Sequence, residues 1–577
     1  MATSADMLVR DLVALGVSRI YGIVGDSLNP VVDAVRRTEG IEWIHVRHEE
    51  AAAFAAAAEA QLTGRLAVCA GSCGPGNLHL INGLYDAHRT GAPVLAIASH
   101  IPSSQIGTGF FQETHPQQLF GECSHYSELV SAPEQLPRLL RIAVQTAVGA
   151  GGVSVLTIPG DVSSQKAPAQ QPRGTAPAQR SPVVPGAERI AELAERLDGA
   201  EKVMLFCGDG VRDAHAEVLA LATALAAPVG HSLRGKQWIQ YDNPFDVGMS
   251  GLLGYGACYE AMHEADCVVL LGTDFPYDTF LPQQHTIQID HDLTRFGRRT
   301  PLDLAVHGDV RETLALLLGR LRPRTDRSFL DRMLRRHAKL LDKVVEAYTT
   351  DIADRTPIHP EYAAALLDSQ AAADAVFTVD TGMGNVWAAR YLTPNGRRRV
   401  IGSFLHGSMA NALPHAIGAQ LAYPGRQVVA ICGDGGLSML LGELLTLRTY
   451  DIPVKVVVFN NASLGMVKLE MMVDGYPSFG TDHPVVDFTA IARACGLPAV
   501  RVDQPSGIEE GLRVTFATPG PAVLELITDP NALSIPPKIT GEMLRGFALS
   551  AGRTVLGGGV GTMVELARGN LRNIPRP

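Results

Sequence analysis

The chain contains Val428-Val-Ala-Ile-Cys-Gly-Asp-Gly-Gly436, an apolar run that ends in a glycine-rich turn, and Val454-Lys-Val-Val-Val-Phe-Asn-Asn461 follows it. Short runs of β-branched residues bounded by turn residues are typical of buried strands, and the segment between the two runs has room for one helix. Strand–helix–strand units build parallel sheets, and ligands bind where the carboxyl ends of such strands meet. This part of the chain therefore predicts an α/β fold with a ligand site at Gly433–Gly436 and Asn461.

Similar runs occur along the whole chain in three groups, separated by helical stretches such as the alanine-rich 49–62. The strands that we predict are 65–69, 94–98 and 153–158, then 203–207, 267–271 and 286–290, then 376–380, 427–432, 454–460 and 522–526. A stretch rich in Pro, Ala and Gln has no apolar period and is typical of a linker. We predict three doubly wound parallel-sheet α/β domains, with an N-terminal domain at 1–165, a linker at 166–186, a central domain at 187–345, a third domain at 356–530 and a tail at 531–577.

The overall composition argues against several classes of protein. Of the 577 residues 46% are hydrophobic and 19% are charged, as in globular proteins. The net charge of -10 and the lack of a clustered Lys/Arg face argue against nucleic acid as a partner. Eight irregularly spaced cysteines form no disulfide framework, and no apolar run approaches the roughly 18 residues of a transmembrane helix. The N-terminus lacks a secretory pattern, so the expectation is a cytoplasmic protein.

The two quoted runs also predict a metal site. Glycines let backbone amides approach a diphosphate closely, while a carboxylate and an amide oxygen from neighbouring strand ends can hold the Mg²⁺ that bridges its phosphates. Asp434 and Asn461 are the candidate ligands. Taken singly, Gly-Asp-Gly is more often an ordinary turn and Asn-Asn a surface loop, so the prediction depends on their combination.

The combination resembles the thiamine diphosphate signature of the pyruvate oxidase and acetohydroxyacid synthase superfamily. The resemblance implies that Ser463 adds its backbone carbonyl to the metal. It also implies that Met409 holds the cofactor in a bent shape, although a Met is more commonly an ordinary core residue. Thr381 lies at a cofactor position where the most similar family member has valine. The residues implied to line thiamine diphosphate are Thr381, Gly407, Ser408, Met409, Asp434, Gly435, Gly436 and Asn461.

A second element of the signature is Arg47-His-Glu-Glu-Ala-Ala-Ala-Phe54 at the start of the alanine-rich helix. A glutamate hydrogen-bonded to N1′ of the aminopyrimidine promotes the tautomer that can take the C2 proton of thiamine. The family pattern Glu-x-x-Ala-Ala-aromatic selects Glu49 rather than Glu50. Without the first motif, two carboxylates in the first turn of a helix would simply favour the helix. In this superfamily the glutamate and the diphosphate site belong to different subunits, which implies at least a dimer. The resemblance further implies a tetramer.

Longer stretches resemble the bacterial quinone-linked pyruvate oxidases, among them Ala70-Gly-Ser-Cys-Gly-Pro-Gly-Asn77, Phe111-Gln-Glu-Thr-His-Pro116 and His406-Gly-Ser-Met-Ala-Asn411. The resemblance covers nearly the whole chain and implies pyrimidine-binding, FAD-binding and diphosphate-binding domains, in that order. An acidic residue after a buried strand can accept ribose hydroxyls, which suits Asp290, and Asp309 is a weaker candidate. The implied flavin-contacting residues are Gly251, Leu252, Leu253, Gly254, Asp274, Phe275, Pro276, Tyr277, Asp278, Asp290 and Asp309.

The same resemblance assigns Phe111, Gln112 and Glu470 to the substrate. Met466 stands where the most similar member has phenylalanine, at a position implicated in activation. The tail from about 541 corresponds to a membrane-binding segment, and its apolar residues recur at roughly helical spacing, although Gly557–Gly559 interrupts them. A tail that packs on its own core fits the sequence equally well. The membrane-binding interpretation of the tail implies a peripheral location on the inner face of the cell membrane.

These implications add up to the decarboxylation of pyruvate to acetate and CO₂, with electrons passing through FAD to a membrane quinone. Three alternatives remain open. An acetohydroxyacid synthase would join two 2-oxo acids, but the synthases carry a tryptophan-containing stretch beyond the position of Glu470, and this chain has no Trp after Trp387. A phosphate- and oxygen-dependent oxidase would form acetyl phosphate. A non-catalytic flavin-binding homologue would lack part of the set Glu49, Asp434 and Asn461.

Overall fold

The computed structural model describes residues 2–168, 180–282, 285–350 and 352–532, together with 545, 548–551 and 553. Its strands form three sheets of six, seven and six strands. Among the described strands every pair is parallel except one, in which the two-residue strand Tyr255–Gly256 lies antiparallel to Asp246–Met249 at the edge of the central sheet. The predicted fold class, three α/β domains with parallel sheets, is confirmed.

The first sheet has the order β2-β1-β3-β4-β6-β5, and helices cover both of its faces. Helix Glu49–Thr63 is buried over its whole central part because other helices pack on it from two sides. Its alanines make the close approach feasible: a β-carbon on Gly83 would lie 2.6 Å from Ala53 Cβ, and one on Gly418 would collide with Ala55 O. The elements are α1 (Ser4–Ala14), β1 (Arg19–Gly22), α2 (Asn29–Arg37), β2 (Glu42–His45), α3 (Glu49–Thr63), β3 (Ala67–Gly71), α4 (Pro75–Thr90), β4 (Val94–His100), α5 (Pro116–Leu119), β5 (Tyr126–Leu129), α6 (Leu136–Thr146), β6 (Val153–Pro159) and α7 (Gly160–Ser164).

The central sheet has the order β10-β9-β8-β7-β11-β12-β13. Strands β7 and β11 lie side by side in its middle, are buried on both faces and consist of uninterrupted apolar runs, whereas the neighbouring buried strand β12 carries Thr286, Gln288 and Asp290. The elements are α8 (Ala187–Gly199), β7 (Val203–Cys207), α9 (His215–Leu225), β8 (Val229–His231), α10 (Leu233–Ile239), β9 (Asp246–Met249), β10 (Tyr255–Gly256), α11 (Cys258–Glu264), β11 (Cys267–Leu271), β12 (Thr286–Asp290), β13 (Leu304–His307), α12 (Val310–Leu318) and α13 (Ser328–Leu340).

The third sheet has the order β15-β14-β16-β17-β19-β18, the same pattern as the first. Strands β14, β16 and β17 lie side by side, so the turns at their carboxyl ends meet at one edge of the sheet. The elements are α14 (Pro360–Gln370), β14 (Val376–Val379), α15 (Met383–Tyr391), β15 (Arg399–Gly402), α16 (Ala412–Ala422), β16 (Val428–Gly433), α17 (Asp434–Met439), α18 (Glu443–Tyr450), β17 (Lys455–Asn460), α19 (Gly465–Val473), α20 (Phe488–Ala494), β18 (Ala499–Val502), α21 (Ile508–Ala517) and β19 (Ala522–Ile527).

Two predicted segments fall largely outside the described residues, namely 169–179 of the linker and most of the tail at 531–577. In the described part of the tail, Ser550 Oγ donates to Tyr476 O at 2.9 Å and Arg553 Nη1 to Gly475 O at 2.7 Å. These residues pack on the turn that follows α19. Of the helices in the described ranges, none has the length and apolar character needed to cross a membrane.

Candidate thiamine, flavin and substrate site

The glycine turn after β16 leaves no room for side chains. A β-carbon on Gly435 would lie 2.5 Å from Leu464 Cδ2, and one on Gly436 would collide with the carboxylate of Asp380. Glycine is therefore required at both positions for the segments after β14, β16 and β17 to close on one another. The turn opens directly into α17, which begins at Asp434. Its backbone is thus accessible for close approach by a ligand.

Asp434 and Asn461 stand at the ends of the neighbouring strands β16 and β17, as the sequence predicts. Asp434 is buried, its Oδ2 accepts no hydrogen bond from the described residues, and His483 Nε2 lies 3.5 Å from it. Burial raises the pKa of Asp434, while the nearby His483 opposes the rise. Asn461 Oδ1 accepts from Ser463 N at 3.1 Å, and Ser463 Oγ donates to Asp482 at 2.7 Å. The backbone carbonyl of Ser463 is thereby held in a fixed loop.

This donor set fits a divalent cation that is shared with phosphate groups. A buried carboxylate oxygen without a partner is unfavourable unless a cation or donor approaches it. One carboxylate, one amide oxygen and one carbonyl leave the remaining positions of a Mg²⁺ ion for phosphate oxygens and water. Within the described ranges no cluster of three or more His, Cys, Asp or Glu side chains could hold a metal.

The loop at 406–411 closes the site from the side of β14. Asp380, which follows that strand, accepts from Thr381 N at 3.0 Å and from the backbone and side-chain nitrogens of Asn411 at 3.2 and 3.1 Å. Burial raises the pKa of Asp380 to about 7. Asn411 Nδ2 also donates to Ser408 O at 2.8 Å, and Met409 Cε lies 3.6 Å from the β-carbon position of Gly435. The structure therefore brings the predicted residues Thr381, Gly407–Met409 and Gly435–Gly436 together.

Asp380 is a site residue that sequence reasoning missed. In the sequence it is only the last residue of a predicted strand. A carboxylate that lies between the loops after two strands is a recognisable signal, but only when the two strands are known to be neighbours. Its Oδ2 is buried against Gly436 and has no hydrogen bond within the described chain. Thr381 Oγ1 is also buried and has no hydrogen bond within the described chain. The cradle thus contains polar atoms that are satisfied only if a ligand or water reaches them.

Glu49 lies at the first turn of α3 and is almost fully buried. Its Oε2 is 2.9 Å from His79 Nδ1, and its Oε1 lies 2.9 Å from the β-carbon position of Gly76. The ring of His48 stacks on that of His79 at 4.3 Å. Sequence reasoning did not select His79, because a single polar residue on a half-exposed helix face carries no signal of its own. These contacts of Glu49 all lie within the first domain.

Glu50 has a different environment, although it is the next residue. Its Oε1 accepts from Asn82 Nδ2 at 2.6 Å, and the same nitrogen contacts Ser408 Oγ at 2.8 Å. His406 Nε2 lies 2.8 Å from Asn82 Oδ1. Helix α4 therefore fixes the 406–408 loop of its own chain to Glu50, while Glu49 points to His79. The two neighbouring carboxylates are structurally distinct, which makes them a matched pair for mutagenesis.

The predicted flavin loops contact each other and the third domain. Gly251 has φ +110°, and a β-carbon there would lie 2.9 Å from the ring of Phe275, so only glycine allows this packing. Leu253 packs against the apolar core of the third domain, as does Met466. Asp274 is paired with Arg298 at 2.8 Å. Four of the predicted residues are exposed, namely Leu252, Pro276, Tyr277 and Asp278.

The two acidic candidates of the central domain differ. Asp290 is buried at the end of β12, burial raises its pKa, and its Oδ2 has no hydrogen bond among described residues, with Arg295 3.8 Å away. Such an oxygen fits a ribose hydroxyl. Asp309 Oδ2 instead accepts from Val183 N at 2.6 Å and Asp309 N donates to Val183 O, so this residue fixes the chain that enters the central domain.

The predicted substrate residues lie on two segments. Phe111 is 77% exposed, and Gln112 has φ +63°, with its Oε1 accepting from Cys73 Sγ at 3.2 Å. Met466 and Glu470 lie on α19. Burial, and then the charge of Asp474, raise the pKa of Glu470.

The predicted flavin loop 251–254 contacts the third domain. Arg390 Nη2, on α15, donates to Gly254 O at 3.3 Å, and Leu253 packs on the same apolar core as Met466 of α19. In the second predicted loop the pKa of Tyr277 is raised first by partial burial of its hydroxyl group and then by the negative charge of Glu470. Within one chain the predicted flavin loop 251–254 therefore lies against the domain that carries Met466 and Glu470.

The three α/β domains and this cradle at adjacent strand ends define a protein that binds a diphosphate cofactor. The chain matches the thiamine pyrophosphate enzyme family over all three of its domains: the N-terminal TPP binding domain at residues 2–119, the central domain at 190–317 and the C-terminal TPP binding domain at 380–526. It belongs to that family and is a thiamine pyrophosphate-dependent enzyme.

Three relatives cover most of the chain. A Bacillus subtilis protein whose name records only that it contains thiamine pyrophosphate is 35% identical over 95% of both chains. The pyruvate oxidase of Lactiplantibacillus plantarum is 32% identical over 86% of this chain and 83% of its own. The acetolactate synthase of Arthrospira platensis is 32% identical over 91% of this chain and 94% of its own. The relatives thus include both an oxidase and a synthase.

Proposed function

We propose that the protein catalyses the oxidative decarboxylation of pyruvate to acetate and CO₂, using thiamine diphosphate, Mg²⁺ and FAD, and passes the electrons to a membrane quinone. The observation that carries the proposal is the contact of the predicted flavin loop with the third domain, through Arg390 and Gly254 O and through Leu253, because an oxidase needs its flavin beside the reacting substrate. The relative named pyruvate oxidase supports an oxidation of pyruvate.

The third domain would bind the diphosphate end. Asp434 Oδ2, the amide oxygen of Asn461 and the carbonyl of Ser463 would hold Mg²⁺, and the glycine turn would admit the phosphates. Met409 would support the thiazolium ring. When bound, thiamine diphosphate supplies a ring that accepts the electrons released as CO₂ leaves. The protein's part is to orient that ring, and one water is consumed at the end of the reaction, when hydrolysis releases acetate.

Glu49 would exchange a proton with the aminopyrimidine through its buried carboxylate, and the contact with His79 Nδ1 would orient that carboxylate. By the family arrangement this Glu49 serves the diphosphate site of another subunit, so we expect a homodimer at least and a tetramer by analogy. Phe111 and Gln112 would face the substrate from one side and Met466 and Glu470 from the other. The pKa of Glu470 is raised first by burial and then by the charge of Asp474, which favours its protonated form.

The central domain would bind FAD, which supplies two-electron acceptance when bound. Loops 251–254 and 274–278 would contact the flavin, and the unpartnered oxygen of Asp290 would accept from the ribose. Asp309 is retained as a weaker adenosine-end candidate. The proposed location is the cytoplasm, with peripheral attachment to the inner face of the cell membrane through the tail.

A second candidate function is the joining of two 2-oxo acids, as in the relatives named acetolactate synthase. The lack of tryptophan after Trp387 argues against it, because the synthases shape the pocket for the second oxo acid with such a residue. The two functions differ in whether the flavin changes redox state during turnover.

The test uses purified enzyme with thiamine diphosphate, Mg²⁺ and FAD. Pyruvate is added without oxygen, the flavin absorbance is followed, a soluble quinone is then added, and acetate, acetolactate and acetyl phosphate are measured. Bleaching, reoxidation by quinone and acetate are the expected results. Acetolactate from an enzyme that stays yellow would refute the proposal in favour of the synthase. In a parallel aerobic assay with phosphate, oxygen uptake and acetyl phosphate would identify the oxygen-linked oxidase.

A further inference from the structure

The first flavin loop, residues 250–254, connects β9 to β10, and its base is fixed inside the central domain. Lys236 Nζ and Gln240 Nε2 both donate to Tyr255 Oη, at 2.9 and 2.6 Å. Gln240 Nε2 also lies 3.2 Å from Asp246 Oδ2. These buried bonds hold the two strands that enter and leave the loop. The end of the loop is outside their reach.

The end of the loop is bound by a residue of the third domain. Arg390 Nη2 donates to Gly254 O at 3.3 Å, and Gly254 N donates to Gly251 O at 2.9 Å, which closes the loop as a turn. The Arg390 side chain is buried, with only 8% of the residue exposed. Burial lowers its pKa, whereas the charge of Glu361 in α14 supports the charged form. A buried guanidinium is costly unless its position is fixed by such partners.

Arg390 is also rigidly connected to the thiamine site. It lies on α15, which begins two residues after Thr381 and whose residues Val386–Ala389 are buried in the third-domain core. The loop that it binds packs through Gly251 on the ring of Phe275 in the second flavin loop. One side chain therefore connects the helix after the thiamine cradle to both flavin loops.

We propose that Arg390 is a positioning residue that fixes the flavin loops against the thiamine domain and so sets the separation of the two cofactors. The inference rests on the proposed function, because only an oxidase depends on that separation for turnover. Displacement of a reacting group by about 1 Å can cost roughly 100-fold in rate. Loss of the Arg390 bond should therefore slow flavin reduction while leaving pyruvate binding unchanged.

The test variants are Arg390→Lys and Arg390→Met. Lysine retains the charge but lacks the planar set of donors, and methionine removes both. Arg398→Lys is the matched control, because Arg398 is largely buried and donates to Asp368 Oδ1 at 2.6 Å and to Ala371 O at 2.8 Å within the third domain, without contact to the flavin loops. Each holoenzyme is examined by hydrogen–deuterium exchange over residues 248–256, by anaerobic stopped-flow reduction of the flavin at several pyruvate concentrations, and by single-turnover CO₂ release.

We expect faster exchange at 248–256 and at least a ten-fold slower flavin reduction in both Arg390 variants, with the dissociation constant of pyruvate and the single-turnover rate of CO₂ release, which precedes flavin reduction, within two-fold of wild type. Arg398→Lys should lower the Tm without either change. Unchanged exchange, or faster exchange with an unchanged flavin reduction rate, would overturn the proposal. If wild-type enzyme forms acetolactate and never bleaches, the oxidase function fails; unchanged exchange in the variants would then refute the role of Arg390 separately.

Discussion

Replacement of Glu49 by glutamine should abolish most of the catalysis without loss of the fold. The amide has the size of the carboxylate and can still accept from His79 Nδ1, now at 2.9 Å from Glu49 Oε2, so the packing of α3 is preserved. What is lost is a group that can take and return a proton. General acid–base catalysis contributes roughly 10²–10⁴-fold, so the barrier should rise by about 3–5 kcal/mol.

The matched control is Glu50→Gln. Glu50 Oε1 accepts from Asn82 Nδ2 at 2.6 Å, and a glutamine oxygen can accept the same bond. We therefore expect a loss of less than about ten-fold, or roughly 1.4 kcal/mol. The assay is the rate of deuterium exchange at C2 of bound thiamine diphosphate, followed by NMR, together with the rate of CO₂ release. Wild-type exchange in Glu49→Gln, or a larger defect in Glu50→Gln, would refute the assignment.

Three further predictions follow from the same geometry. Asp434→Asn should raise the concentration of Mg²⁺ needed for thiamine diphosphate binding by about 100-fold, measured by titration after chelation; an unchanged requirement would exclude Asp434 as a ligand. Mixing inactive Glu49→Gln and Asp434→Asn subunits and allowing exchange should restore about a quarter of wild-type activity, because half of the dimers then carry one intact site; no recovery in verified mixed dimers would place both residues in one subunit's site. Burial raises the pKa of Asp380 from 3.8 in the unfolded chain to about 7 in the folded protein. The contribution of this group to stability is therefore complete below the pKa of the unfolded chain and is lost as the pH rises through the pKa of the folded protein. Between pH 5 and pH 8 the apo-protein should therefore lose about 3 kcal/mol more unfolding free energy than Asp380→Asn does, and parallel urea-unfolding profiles would contradict this.

The sequence predicted three strands of the central sheet with their exact bounds. The runs 203–207, 267–271 and 286–290 coincide with β7, β11 and β12, and the first two are continuously apolar, as strands buried on both faces usually are. The shorter strands of the same sheet were not predicted. Strand β8 has three residues and β10 has two, and each depends on its pairing with neighbouring strands, which no local pattern specifies. Local chemistry therefore predicts the long apolar strands of such a sheet but not the short ones, whether they lie inside it or at its edge.

In the site, the sequence predicts the placement of residues that directly follow strands, but not the contacts that depend on a distant partner. Asp434 and Asn461 stand beside each other because β16 and β17 are neighbours, which the spacing predicts. The two oxygens left without partners at Asp380 and Asp434 could not be predicted, since burial depends on loops from other strands. For Asp309 the sequence suggests a contact with the adenosine end of the flavin, whereas in the structure its carboxylate accepts from Val183 N, 126 residues earlier in the chain.

The distinction between an oxidase and a synthase belongs to this second category. Both classes among the relatives would need a glycine turn, a metal carboxylate and a catalytic glutamate, so those motifs indicate the cofactor rather than the reaction. The contacts that bear on electron transfer join different domains: Arg390 binds Gly254 O, and Leu253 packs on the third-domain core beside Met466. Because each joins residues more than a hundred positions apart, no motif of fixed spacing can encode them. A change of reaction within this fold can therefore arise from changes in the contacts between the central and third domains, while the thiamine cradle stays the same.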